Sequence, residues 1–124
     1  MAGRRRILVA DDNAEVRKSL RRLFANHPRL EICDEAADGR DAVEKAAKLD
    51  PDLVILDLSM PVMDGLQAAK AICKILPNVP IILFTLHAQA IRPSDIERSC
   101  IVRVVAKEEA NTLVRHAEDL LRAV

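Results

Sequence analysis

Strand-like apolar runs alternate with helix-period segments along the whole chain, and this alternation restricts the fold more than any other feature. The runs are Ile7–Ala10, Leu30–Cys33, Leu53–Leu56, Ile81–Phe84 and Ile101–Ala106. The first, third and fourth are continuous, as expected for parallel strands covered on both faces. Val16, Leu20, Leu23 and Phe24 fall on one helical stripe that should stop before Pro28. Ala42, Val43, Ala46 and Ala47 mark a second helix after Asp38–Gly39, and Leu66 to Leu76 a third, ended by Pro77. Ala110, Leu113, Val114, Ala117, Leu120, Leu121 and Val124 give the last. Between Ala88 and Ser99 the period is poor, and only Ser94–Asp95 after Pro93 suggests a short helix. The pattern predicts an α/β domain over residues 1–124, a parallel five-stranded sheet with helices on both faces. It closes on a fifth helix, with no output domain.

A chain of 124 residues can bury roughly two thirds of its unfolded surface, enough for one core without staples. Nineteen basic residues balance nineteen acidic ones, so no global field draws the chain to nucleic acid or to an anionic membrane. Arg4–Arg6 read as a solvated basic terminus. Phe24 and Phe84 are the only aromatic residues, which argues against base stacking. Cys33, Cys73 and Cys100 are widely spaced, odd in number and beside apolar runs, and read as small core hydrophobes. No signal peptide or membrane span is visible, so the expected location is cytoplasmic.

The strands end on polar residues. Asp11 and Asp12 follow the first run, Asp57 the third, Thr85 the fourth and Lys107 the fifth. In a doubly wound sheet these ends share one edge, where ligands bind at the topological switch point. Two carboxylates about 4 Å apart repel by roughly 4 kcal/mol at an effective dielectric near 20. Three of them tolerate each other only if protonated or neutralised by a cation, and oxygen ligands without His or Cys suit Mg²⁺ or Mn²⁺. A carboxylate beside a metal, a hydroxyl and an ammonium group is a phosphoryl-transfer constellation with Asp57 as nucleophile.

ILVADD, VILDLSMPVMDG, IILFT and VVAK, in that order, resemble the receiver domain of bacterial response regulators, and EAADGRDAVEKA (Glu35–Ala46) resembles the NarL type. The resemblance covers essentially the whole chain. It implies a (βα)₅ flavodoxin-like fold and Mg²⁺-dependent phosphorylation of Asp57 by a sensor histidine kinase or phosphotransfer protein. It also implies that Asp11, Asp12, Asp57 and the Ser59 backbone carbonyl hold the metal, with Thr85 and Lys107 serving the phosphoryl group. The module then acts as a switch that catalyses its own phosphorylation and dephosphorylation, standing alone or preceding a DNA-binding domain. Three positions depart from the family pattern. Val104 stands where Tyr or Phe is common, Leu86 where a small residue is frequent, and Glu108 where many members have proline.

Each residue also has a plainer reading. Asp12 could cap the first helix. His27 and His116 read as helix-surface residues, His87 as an exposed loop residue, and Met60 and Met63 as loop packing. Arg115, Glu118, Asp119 and Arg122 read as a solvated face, the sharper alternative being a salt-bridged homodimer surface with Arg98 and Arg103. Two other functions compete. One is an interaction domain that is not phosphorylated, as Val104 and Leu86 would suggest. The other is an aspartyl-phosphate phosphatase, which needs an acid where Ser59 stands. A flavin site would lack aromatic partners.

Overall fold

The computed structural model describes residues 3–122. Its strands are β1 (Arg5–Ala10), β2 (Leu30–Ala36), β3 (Leu53–Leu56), β4 (Ile81–Thr85) and β5 (Ile101–Ala106). They pair in the order β2-β1-β3-β4-β5, every pair parallel. Burial follows that order. All of β3 and β4 and the last four residues of β1 are buried, whereas the edge strands β2 and β5 are partly open. Continuous apolar runs therefore occupy the middle of the sheet, where both faces are covered.

The helices are α1 (Ala14–Phe24), α2 (Gly39–Leu49), α3 (Gly65–Ile75) and α4 (Leu113–Leu121). Leu20 and Phe24 of α1 and Leu113, Ala117 and Leu121 of α4 pack on one face, against Ile7, Val9, Ile55 and Ile82. Ala42, Ala46, Ala68, Ala69 and Ile72 carry α2 and α3 onto the other face, against Leu8, Val54, Leu56 and Leu83. Alanines at the α2–α3 contact let these helices lie close. Local chemistry sets the helix starts: Asp38 caps α2, and Asp64 forms a capping box with Gln67 at α3. Leu23 escapes the α1 stripe and stays partly exposed.

The structure corrects the sequence reading in several places. The fourth crossover contains no α-helix, only two short 3₁₀ turns at Ala88–Ala90 and Pro93–Ile96. The poor apolar period there leaves just Ile91 and Ile96 to pack against the core. Ala110 belongs to a 3₁₀ turn ahead of α4, and Val124 lies outside the described residues. Arg4–Arg6 are not all a solvated terminus. Arg5 and Arg6 belong to β1, Arg6 donates to the Leu49 carbonyl at 2.7 Å, and Arg5 faces Asp52 at 3.7 Å. Cys73 and Cys100 are not independent core thiols but a disulfide with Cα atoms 5.5 Å apart, which their sequence separation of 27 concealed. His27 follows α1 rather than lying on it; its Nε2 meets Glu118 Oε2 at 2.8 Å, tying the α1–β2 loop to α4.

The loop after β3 is held from both sides. The Gly65 N–H donates to the Leu58 carbonyl at 2.8 Å, and a Cβ on Gly65 would stand 2.2 Å from the Asp57 carbonyl oxygen. Gly39 at the start of α2 meets the Met63 backbone just as closely. Met60 is buried and Met63 packs against the core beside it, so both serve loop packing. Val62 between them adopts a left-handed φ of 71°.

Candidate functional site

Strand register brings the polar residues together. Ala10 pairs with Leu56 across β1 and β3, so the next residues, Asp11 and Asp57, emerge side by side. The Asp57 N–H donates to the Ala10 carbonyl at 2.9 Å, extending the ladder one step. Thr85 ends β4 opposite Ala106, and Lys107 follows immediately. Both side chains thus reach the same edge as the two aspartates.

Asp11 and Thr85 are each 1% exposed and Asp57 6%. Lys107 Nζ lies 2.8 Å from Asp11 Oδ2 and 3.5 Å from Asp57 Oδ1, and 5.9 Å from the centre of the Phe84 ring. Burial, and then the neighbouring Asp11, push the Asp57 carboxyl above its ordinary range, while Lys107 and the Ser59 N–H oppose that rise. Asp11 Oδ1 accepts from the Asn13 N–H at 2.9 Å, and buried Oδ2 has the Lys107 ammonium, 2.8 Å away, as its neighbour. Carboxylate oxygens of Asp11, Asp12 and Asp57 lie within 4.8 Å of one another. Three clustered carboxylates facing a single ammonium fit a hard divalent cation.

Asp12, Asn13, Asp57, Ser59, Thr85, Leu86, His87 and Lys107 line a cavity of about 220 Å³ over these groups. The sequence reading passed over Asn13. Its side chain caps α1 by accepting from the Glu15 and Val16 N–H groups, so Asp12 does not cap the helix and stays exposed beside the cavity. The preference of asparagine for N-caps could have assigned that role. His87 is an exposed loop residue whose N–H donates to Thr85 Oγ1 at 3.0 Å.

Comparison with known proteins assigns the family. The response regulator receiver domain profile matches residues 7–118. The chain belongs to that family. The receiver is 49% identical over 80 residues to protein-glutamate methylesterase/protein-glutamine glutaminase 1 of Methanosarcina acetivorans, a match spanning 64% of this chain and 23% of that protein. The receiver thus spans about a quarter of the length of such relatives. Among solved structures it is similar to the response regulator domain of Thermotoga maritima CheB, with TM-score 0.87, 26% identity and 98% of each chain covered. It is also similar to a LuxR-family two-component response regulator from Aurantimonas sp. SI85-9A1, with TM-score 0.86, 28% identity, and 97% of this chain and 86% of that one covered. These neighbours bear out the parallel α/β sheet expected from the strand–helix alternation and the flavodoxin-like receiver fold that the resemblance implies.

At the departures from the family pattern, the receiver keeps Val104 half-buried against the α2–α3 side of the core. Leu86 is 64% exposed at the cavity rim, so it borders the site without sealing it. Glu108 is exposed. The acidic groups of α4 are solvated and have partners within the chain, Asp119 lying 3.3 Å from Arg122 and 4.0 Å from Arg103. Among the described residues no helix is long and apolar enough to cross a membrane.

Proposed function

We propose that this receiver is a cytoplasmic switch in which an Asp57 carboxylate oxygen accepts a phosphoryl group from a phosphohistidine of a sensor histidine kinase or phosphotransfer protein. The observation that carries the proposal is the meeting of Asp57 with Lys107, Thr85 and two further aspartates at one sheet edge. The bond from Asp57 oxygen to phosphorus forms as the phosphorus–nitrogen bond breaks, and the released imidazole takes a proton. Lys107 is placed to neutralise the equatorial oxygens and the Thr85 hydroxyl to donate to one of them. Asp11, Asp12, Asp57 and the Ser59 carbonyl would hold Mg²⁺, or Mn²⁺ in its place, which supplies charge neutralisation during transfer.

The receiver acts here as a switch that catalyses only its own phosphorylation and hydrolysis. Methylesterase and glutaminase activities are named for relatives whose length it matches only in part. Adding nearly two negative charges at Asp57 shifts the balance around Thr85 and the segment that follows it.

Intact mass after incubation with acetyl phosphate, with and without Mg²⁺, tests the assignment on the wild type and Asp57→Asn. One phosphoryl group requiring both Mg²⁺ and Asp57 is expected. No adduct from either acetyl phosphate or a kinase donor would leave an interaction domain that is not phosphorylated.

A further inference from the structure

The Cys73–Cys100 disulfide joins the surface of α3 to the residue just ahead of β5. The loop it closes contains β4, Thr85 and the whole segment 86–99. That segment has little else to hold it, with two 3₁₀ turns in place of a helix and Ile91 and Ile96 only half-buried. Its far end is tightly wound. Arg98 and Cys100 both adopt left-handed backbone, with φ of 58° and 59°. Buried Ser99 between them bonds the Ile96 carbonyl and accepts from the Ile101 N–H at 3.2 Å. β5 then opens with a register shift against β4. Non-glycine residues hold left-handed backbone only where their surroundings over-determine it, and here those surroundings include the Ser99 bonds and the covalent link to α3. Both cysteines are half-buried, so a small thiol or disulfide can reach them.

We propose that Cys73 and Cys100 form a reversible thiol–disulfide switch whose oxidised state holds the 86–99 segment against α3 and prevents its response to phosphorylation of Asp57. This rests on the proposed receiver mechanism and its cytoplasmic setting, where lasting disulfides are rare and those that form are mostly redox-sensing. The reacting partner is a low-molecular-weight disulfide of the glutathione class. One cysteine thiolate attacks it, forming a mixed disulfide and expelling one thiolate. The second cysteine then displaces the other, so the pair loses two electrons and two protons while the incoming disulfide leaves as two thiols. Cys33 takes no part. It lies on β2 at the opposite edge of the sheet, and burial pushes its thiol up, away from the reactive thiolate form.

The test uses the whole chain equilibrated in reduced or oxidised glutathione, with Cys73→Ser/Cys100→Ser alongside. Each sample receives acetyl phosphate and Mg²⁺, and intact mass and amide hydrogen exchange over residues 86–99 are read. The wild type is expected to lose two hydrogens by mass in oxidised glutathione and regain them in reduced. Phosphorylation should change exchange in the segment severalfold in the reduced protein and leave it unchanged in the oxidised one. The double variant should respond under both conditions, and should it fail to fold, the two wild-type states suffice. A pair that stays oxidised in reduced glutathione, or equal responses in both states, overturns the switch. Phosphorylation in both states with equal exchange removes the switch alone, whereas no adduct in either removes the receiver mechanism with it.

Discussion

Lys107 Nζ sits 2.8 Å from Asp11 Oδ2, an oxygen of a buried carboxylate. Lys107 follows β5 and Asp11 follows β1, two strands separated in the sheet by β3 and β4. Asp57, at the end of β3, lies 3.5 Å from the same ammonium. One cation therefore serves two buried carboxylates, and the balance among the three sets much of this edge's behaviour.

Replacing Lys107 by methionine keeps the aliphatic stem and removes the charge. With the Lys107 side chain only 14% exposed and that of Asp11 2%, the loss should be about 3 kcal/mol of stability, read from urea unfolding in EDTA. Added Mg²⁺ should restore part of it. An unchanged midpoint in EDTA would show that the two carboxylates do not depend on the ammonium.

Asp57→Asn should raise the urea midpoint of the metal-free protein at pH 7. Burial and Asp11 hold the Asp57 carboxyl above its ordinary value of 3.8. The stabilising share of such a group is fully present below the ordinary value and is lost as pH rises through the raised one. Above the raised value the carboxyl is charged in both states, so the folded state alone carries the desolvation and repulsion. The advantage of asparagine should shrink on acidification and on addition of Mg²⁺.

Glu35 gives the opposite slope. It bonds Arg21 and, at 2.9 Å, Arg17, and these guanidinium groups, Arg21 foremost, hold its carboxyl below the ordinary 4.5. Its contribution is present above 4.5 and lost as pH falls through the lowered value. Glu35→Gln should cost under about 1 kcal/mol at pH 7, because the pair is partly solvated. The difference should close once the pH has fallen below that lowered value. A gap that persists in acid would locate the effect in packing instead.

Gly65→Ala would drive a methyl group into the Asp57 carbonyl oxygen, 2.2 Å from the ideal Cβ position. Backbone cannot give way as a flexible side chain would, so a loss of at least about 2 kcal/mol is expected. Phosphorylation should slow as the strand end shifts. Retention of both stability and rate would mean that the loop relaxes freely.

Val62→Asn should stabilise the chain by about 1 kcal/mol, since a β-branched residue at φ 71° carries a steric cost that asparagine largely avoids. Val62 is 75% exposed, so little burial is lost in exchange. Thermal unfolding that shows no gain would place Val62 in a contact absent from this isolated chain.

Much of this molecule was legible before any coordinates. Continuous apolar runs at β1, β3 and β4 could bury both faces only inside a parallel sheet, and the helical stripes between them supplied the covering layers. Once the strands were parallel, Asp11, Asp12, Asp57, Thr85 and Lys107 had to share an edge, because each sits at or just past a carboxyl end. The fourth crossover was less legible because its residues lack a period, and its one local signal, Ser94–Asp95 after Pro93, marked only the short 3₁₀ turn at Pro93–Ile96.

The sequence by itself determined the strand and helix pattern and the set of groups that meet, since both depend on periodicity and on position along each strand. Tertiary structure alone decided what depends on distances between remote residues. It brought Lys107 within reach of two carboxylates, tied His27 to Glu118, and joined Cys73 to Cys100. Those contacts arise from the side-by-side packing of elements, a geometry that no local stretch of sequence records.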